Sequence, residues 1–120
     1  MEQVDHVDLD EEVIATCQKY FDWGDAWEDE RATLTVADGA VFVQNADDES
    51  YDVIVQDSSD PWTVDDDGNK VPLPSGVLYA PKHFANIARI LSPTGVFAFQ
   101  VGPCGSSVSL TQLLSHQHTD

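Results

Sequence analysis

A continuous run of strand-forming residues at Tyr51–Gln56 (YDVIVQ) is the feature that most constrains the fold. Its β-branched side chains are typical of a buried strand in a parallel sheet. Other strand-like runs lie at Val4–Leu9, Thr33–Ala37 and Val96–Val101. Because parallel strands need crossover connections, we expect helices between these runs.

Helical periodicity does separate the strand-like runs. The apolar residues of Glu11–Phe21 fall on one helical face, Gly39–Asn45 is predicted to be a short helix, and Gly76–Leu91 a longer one that stops at Ser92–Gly95. Pro61–Ser75 is rich in proline and acidic residues and is predicted to be an irregular loop. The alternation predicts βαβ units and an α/β fold with a parallel sheet.

The chain carries a large excess of negative charge. Its 120 residues include five Lys and Arg against 22 Asp and Glu, which gives a net charge of −17. Such a field repels phosphate and anionic lipid and attracts cations, so we expect neither nucleic acid nor a membrane as partner. Solubility explains most of the excess of acidic residues. Only the carboxylates at strand ends are informative about function.

The cysteines and the N-terminal sequence favour a soluble cytoplasmic protein. Cys17 and Cys104 are far apart and form no CxxC motif, which favours reduced thiols over a disulfide or a zinc site. The first residues are acidic without an apolar segment, and no run is long enough to span a bilayer. The acidic run Asp65–Asp67 does not fit a calcium loop. We therefore expect no metal site.

Polar residues follow several of the predicted strands. Asp8 and Asp38 end the first and second, Asp57 follows Tyr51–Gln56, and Gln100 closes the last. Ligands of open parallel sheets bind at the carboxyl ends of the strands. The sequence therefore predicts a ligand site at these strand ends.

The acidic residues after the first two strands have competing interpretations. A carboxylate such as Asp8 can accept both ribose hydroxyls of a nucleoside, whereas Asp10 is expected to cap the following helix. Asp38 can accept from an exocyclic amine such as that of adenine, and Gly39 lets the backbone approach closely. An ordinary Asp-Gly turn explains Asp38 and Gly39 equally well.

The segment Asp57-Ser58-Ser59-Asp60 is the strongest local signal. Two carboxylates three residues apart after a strand would face one pocket and attract a cationic amine. A carboxylate there can take the proton of an ammonium group and free the lone pair to attack an electrophilic carbon. From spacing alone, a turn whose side chains cap backbone groups is a slightly better explanation.

Four segments, in this order, resemble the catalytic domain of the spermidine and spermine synthase family. They are VDLDEEVI at Val7–Ile14, LTVADGAVF at Leu34–Phe42, YDVIVQDSSDP at Tyr51–Pro61, which is the most specific, and GVFAFQ at Gly95–Gln100. The resemblance implies a Rossmann-like, methyltransferase-type fold with a mostly parallel sheet and flanking helices, here incomplete. We expect a partial catalytic domain over residues 4–101 and a divergent, flexible tail over residues 102–120.

The resemblance also implies an activity. It is the transfer of an aminopropyl group from decarboxylated S-adenosylmethionine, a co-substrate, to putrescine or a related amine, giving a spermidine-type polyamine and methylthioadenosine, without a cofactor. By position, Asp57 would deprotonate the attacking amine. The other matching residues would bind the nucleoside and polyamine substrates: Asp8, Asp38, Gly39, Ser58, Ser59 and Asp60. Homo-oligomerisation is an option for full-length relatives.

The sequence departs from the family pattern, and two alternatives to an active aminopropyltransferase stay open. The Gly-rich loop and the small N-terminal β domain of the family would precede Val4 and are not in this sequence, and the residues after Gln100 differ. One alternative is a catalytically incomplete remnant that binds nucleoside, polyamine or a full-length homologue. The other is a methyltransferase using intact S-adenosylmethionine, which the paired aspartates disfavour because a methyl acceptor rarely needs two carboxylates.

Overall fold

The structure, a computed structural model, describes residues 2–100, which divide between Asn45 and Ala46 into two compact units. The predicted tail over residues 102–120 lies outside the described residues. The predicted division into a domain over residues 4–101 and a tail stays a prediction.

The first unit alternates strands and helices. In chain order its elements are β1 (Val4–Asp8), α1 (Glu11–Tyr20), a 3₁₀ helix (Gly24–Glu28), β2 (Ala32–Val36) and α2 (Gly39–Asn45). β1 and β2 pair in parallel, with Val4 opposite Ala32 and Asp8 opposite Val36. Helix α1 contributes the buried Ile14 to the core. The predicted strands and helices of this unit are confirmed, with bounds shifted by a residue at several ends.

The second unit contains a parallel strand pair, a hairpin and a helix. In chain order its elements are β3 (Tyr51–Gln56), β4 (Trp62–Val64), β5 (Lys70–Pro72), a 3₁₀ helix (Pro74–Tyr79), α3 (Pro81–Ile90) and β6 (Leu91–Phe99). β3 and β6 are parallel. Helix α3 buries Ile87 and Ile90 and places the Phe84 ring 5.5 Å from that of Phe99. Both units thus have the parallel strand pairing of the predicted Rossmann-like, methyltransferase-type fold.

Strand β3 is half-buried on one face and exposed on the other, so the prediction of a buried strand holds only in part. Val53 and Val55 are 63% and 69% exposed, and Val96, opposite Val53 on β6, is 60% exposed. The other face carries Phe97 and Phe99, which contact Phe84 of α3. Helix α3 covers that face and leaves the valine face open, and this explains the difference.

The prediction of an irregular loop over Pro61–Ser75 was wrong, because the segment contains a β-hairpin. β4 and β5 pair antiparallel, with Val64 opposite Lys70. The Asp65 carboxylate accepts the backbone N–H groups of Asp67 and Asn69 at 3.0 and 2.8 Å, and Gly68 has a φ of 83°. An Asp-Gly pair between short strands is a hairpin signal, which the prolines and acidic residues around it obscured.

The prediction of one helix over Gly76–Leu91 was also wrong in part. The chain is a 3₁₀ helix up to Tyr79 and an α-helix from Pro81, with Ala80 extended between them at a ψ of 148°. Proline disfavours helical backbone in the residue before it, which explains the break.

Ser92–Gly95 lies inside β6, although it was predicted to be the stop between a helix and a strand. Tyr51 pairs with Leu91 but Val53 pairs with Val96, so β6 carries an irregularity here. Ser92 Oγ donates a hydrogen bond to Asp52 Oδ1 at 2.9 Å. The pairing of the segment with β3 extends the strand.

Candidate functional site

The first unit brings Asp8 and Asp38 to one edge of its sheet. Asp8 is the last residue of β1, and its carbonyl accepts the N–H of Ala37, just past β2, at 3.0 Å. Asp38 is the next residue, and Gly39 begins α2. The parallel pairing of β1 and β2 therefore places these three predicted site residues at the carboxyl ends of neighbouring strands.

The carboxylates of the first unit also stabilise the turns at this edge. Asp10 Oδ1 accepts the N–H of Glu12 at 2.9 Å, so the predicted cap of α1 is confirmed. Asp8 Oδ1 accepts the N–H of Asp10 at 2.9 Å, and Asp38 Oδ1 accepts that of Ala40 at 2.8 Å. Within residues 2–100, no donor reaches Oδ2 of Asp8 or Asp38. The ligand roles of Asp8, Asp38 and Gly39 stay predictions that these turns allow.

The second unit places Asp57 and Asp60 directly after β3. The N–H of Gln100 donates to the carbonyl of Gln56 at 3.2 Å, so the carboxyl ends of β3 and β6 coincide. The side chains of Asp57 and Asp60 are exposed. Among the described residues, neither carboxylate accepts a hydrogen bond, in contrast to Asp8, Asp10 and Asp38. The interpretation that these two aspartates cap backbone groups therefore has no support in the described part of the chain.

The 3₁₀ helix Pro74–Tyr79 holds the backbone between the two carboxylates. Ser58 Oγ donates to the Tyr79 hydroxyl at 3.2 Å, and that hydroxyl donates to the carbonyl of Ser59 at 3.2 Å. Ser75 Oγ donates to the carbonyl of Asp60. The segment is thus fixed through its serines and carbonyls, while its carboxylates face outwards. A substrate-binding role for Ser58 and Ser59 stays a prediction.

Gln56 connects the end of β3 to two other elements. Its Nε2 donates to the carbonyl of Leu78 at 3.0 Å, and its Oε1 lies 2.8 Å from Nε2 of His83, which is 5% exposed. Because the amide must turn its NH₂ towards the Leu78 carbonyl, the oxygen faces His83, and the proton of the imidazole is assigned to Nε2. This network fixes the residue that precedes Asp57.

Three residues that hold the segment around Asp57 in place were not predicted from the sequence: Gln56, Tyr79 and His83. A signal existed for Gln56, since it is a polar residue closing an otherwise apolar strand. His83 gave a weaker one, as a polar residue in an apolar helical period. Tyr79 gave none, because its contacts lie twenty or more positions away in the chain.

The described part of the chain contains no candidate metal site. No group of three or more His, Cys, Asp or Glu side chains among residues 2–100 could hold a metal ion. Cys17 is a free thiol, and Cys104 lies outside the described residues. The helices that the structure describes are all too short or too polar to cross a membrane.

Comparison with known proteins identifies the family of the chain. The family profile described as the spermine/spermidine synthase domain matches residues 1–117. The chain belongs to this family. The resemblance of its four segments to spermidine and spermine synthases is therefore confirmed, as is the Rossmann-like fold expected of such a domain.

The curated relatives of this spermine/spermidine synthase family member include two kinds of transferase. A polyamine aminopropyltransferase of Prochlorococcus marinus (strain MIT 9215) is 36% identical over 100 residues, 82% of this chain and 32% of that protein. Spermidine synthase 1 of Hyoscyamus niger is 33% identical, and the match covers 83% of this chain and 29% of that protein. Putrescine N-methyltransferase 2 of Nicotiana tabacum is 36% identical, and the match covers 83% of this chain and 26% of that protein. The chain spans about a third or less of the length of these relatives.

Proposed function

We propose that the chain carries the amine-binding and nucleoside-binding strand ends of an aminopropyltransferase. The donor is decarboxylated S-adenosylmethionine, and the acceptor is putrescine or a related amine. The observation that carries the proposal is the pair of exposed carboxylates, Asp57 and Asp60, which accept no hydrogen bond within residues 2–100. Membership of the spermine/spermidine synthase family and the names of the relatives support the same transfer.

The chemistry assigns different tasks to Asp57 and Asp60. Asp57 accepts a proton from the attacking ammonium group, and the freed lone pair forms a C–N bond to the aminopropyl carbon next to the sulfonium. The C–S bond breaks, and its electrons neutralise sulfur in methylthioadenosine. Asp60 holds the amine by charge and hydrogen bonding. Donor and acceptor are both cationic, which suits a chain with a net charge of −17.

The first unit supplies the residues that we assign to the nucleoside. Asp8 accepts hydrogen bonds from the ribose hydroxyls, and Asp38 accepts one from the adenine amine beside the Gly39 backbone. The Oδ2 atoms of both aspartates have no donor within residues 2–100, so each carboxylate retains an acceptor for a ligand. The free thiol of Cys17 supports a cytoplasmic setting for this chemistry, because that compartment keeps thiols reduced.

Methyl transfer to an amine is the second candidate function. A relative 36% identical to this chain is named putrescine N-methyltransferase, so an acidic pair that binds an amine suits both transfers. The donors differ in charge, because intact S-adenosylmethionine retains a carboxylate that the acidic strand ends repel. Incubation of the chain and putrescine with each donor in turn separates the two functions by the product formed.

Binding measurements test the proposal and separate an enzyme from a catalytically incomplete remnant. Calorimetric titration with putrescine and with methylthioadenosine is expected to show binding of both. The variant Asp57→Asn is expected to weaken the binding of putrescine and to leave that of methylthioadenosine unchanged. The matched control Asp66→Asn removes one charge from the exposed hairpin turn and is expected to leave both affinities unchanged. Binding without turnover supports the remnant, and the absence of both binding events contradicts both functions.

A further inference from the structure

We infer that Tyr79 is a positioning residue, which sets the separation of the two carboxylates and thereby favours diamines over monoamines. The inference rests on the proposed amine-binding function of Asp57 and Asp60. The Tyr79 hydroxyl accepts from Ser58 Oγ and donates to the Ser59 carbonyl, both at 3.2 Å. One rigid group therefore contacts both residues that separate the carboxylates.

The backbone that carries Tyr79 is restricted on both sides. Tyr79 is half-buried, ends the 3₁₀ helix Pro74–Tyr79 and precedes Ala80 and Pro81, whose backbone conformations are restricted. The carbonyl of its neighbour Leu78 is bonded to Gln56 at 3.0 Å. Because a tyrosine side chain has few rotatable bonds, its hydroxyl has little freedom to move on a restricted backbone. The hydroxyl can therefore hold Ser58 and Ser59 in one position.

The separation of the carboxylates matters most for a ligand with two charges. A diamine presents two ammonium groups at a spacing set by its methylene chain, so it gains from two carboxylates held at a matching separation. A monoamine meets one carboxylate at a time and gains little from that separation. Loss of the Tyr79 hydroxyl should therefore weaken diamine binding selectively, whereas a general loss of structure would weaken both.

The test compares Tyr79→Phe with the unaltered chain and with Tyr20→Phe. Tyr20 is 69% exposed, and its hydroxyl makes no hydrogen bond within the described residues, so it is a matched control. Tyr79→Phe removes both hydrogen bonds of the hydroxyl, and it is expected to weaken putrescine binding by at least about 2- to 10-fold, the range for the loss of one such bond. Butylamine and methylthioadenosine are expected to bind as before, and Tyr20→Phe is expected to change nothing. Equal weakening of putrescine and butylamine, or of neither, overturns the inference.

A second measurement needs no ligand. The ¹⁵N order parameters of Ser58, Ser59 and Asp60 are expected to fall in Tyr79→Phe from about 0.85, typical of rigid backbone, to below about 0.6. Ser58→Ala removes only one of the two contacts, so its effects are expected to be smaller and to add nothing in a Tyr79→Phe background. Unchanged order parameters in Tyr79→Phe overturn the inference about Tyr79 but leave the proposed function intact. Absence of putrescine binding by the unaltered chain overturns the proposed function, and the diamine preference with it.

Discussion

The side-chain oxygen of Gln56 lies 2.8 Å from Nε2 of the buried His83. The amide nitrogen of Gln56 donates to the carbonyl of Leu78 at 3.0 Å. One side chain therefore joins the end of β3 to α3 and to the 3₁₀ helix Pro74–Tyr79. The backbone leading into Asp57 is held by polar contacts, and their removal should have a measurable effect on stability.

Gln56→Val is expected to lower the free energy of unfolding by ~1–3 kcal/mol, because the carbonyl of Leu78 and Nε2 of His83 lose their hydrogen bonds to the Gln56 side chain. His83→Phe is expected to lower it too, since Gln56 loses a partner. The double variant Gln56→Val/His83→Phe replaces both by apolar groups and is expected to be more stable than the sum of the single effects predicts. Urea denaturation measures all three, and strict additivity would contradict the coupling.

Local patterns predicted much of the fold. The helix Gly39–Asn45 and the strand Tyr51–Gln56 were predicted with the bounds that the structure shows, because periodicity and β-branching are local signals. The hairpin formed by Trp62–Val64 and Lys70–Pro72 was missed. Its strands have three residues each, too few for periodicity, and the turn chemistry of Asp65 and Gly68 was the one local sign.

The sequence predicted the charged residues of the candidate site but not the hydrogen bonds that hold them in place. Asp8, Asp38 and Asp57 could be placed at strand ends because a parallel sheet has a defined carboxyl edge. Sequence spacing could not show which carboxylates cap backbone groups, and Asp38 does so whereas Asp57 and Asp60 do not within residues 2–100. Nor could it show that Tyr79 contacts Ser58, since that contact joins residues 21 positions apart.

The hairpin turn provides a second stability prediction. Gly68 has a φ of 83°, in the left-handed region, and a Cβ built there would meet nothing within 4 Å. Gly68→Ala is therefore expected to lower the free energy of unfolding through backbone strain alone, by about 1–2 kcal/mol. Gly68→Asn should have a smaller effect, because asparagine tolerates this region better. Equal stability of the alanine variant and the unaltered chain in thermal unfolding would show that the turn is not held in this conformation.

Asp29 and Arg31 provide a prediction about pH. Hydrogen bonds from the Arg31 side chain and backbone hold the pKa of Asp29 well below its ordinary value of 3.8. A carboxyl whose pKa is lowered by folding stabilises the protein above its unfolded pKa, and that contribution is lost as the pH falls through the lowered folded pKa. In a ¹³C NMR titration, Asp29 should stay ionised below pH 3.8, and Arg31→Gln should raise its pKa. An unchanged pKa in the variant would show that another group controls Asp29.

Asp8 and Asp10 should separate ligand binding from helix stability. Asp8→Asn retains an oxygen for the N–H of Asp10 but loses the charge, so it is expected to weaken methylthioadenosine binding with little effect on stability. Asp10→Ala removes the cap of α1 and is expected to lower the free energy of unfolding by ~0.5–2 kcal/mol. Its affinity for methylthioadenosine should not change. Calorimetry and urea denaturation of both variants check the assignment, which a reversed pattern would contradict.

Turnover by the Asp57→Asn variant tests the central claim most directly. The chain is incubated with decarboxylated S-adenosylmethionine and putrescine, and methylthioadenosine release is measured for the unaltered chain, Asp57→Asn and Asp66→Asn. We expect the unaltered chain and Asp66→Asn to release methylthioadenosine at the same rate. Asp57→Asn should be slower by ~10²–10⁴-fold, the range for loss of a general base. Equal rates for Asp57→Asn and the unaltered chain, or no release by the unaltered chain, would contradict the assignment of Asp57 as the base of an aminopropyltransferase.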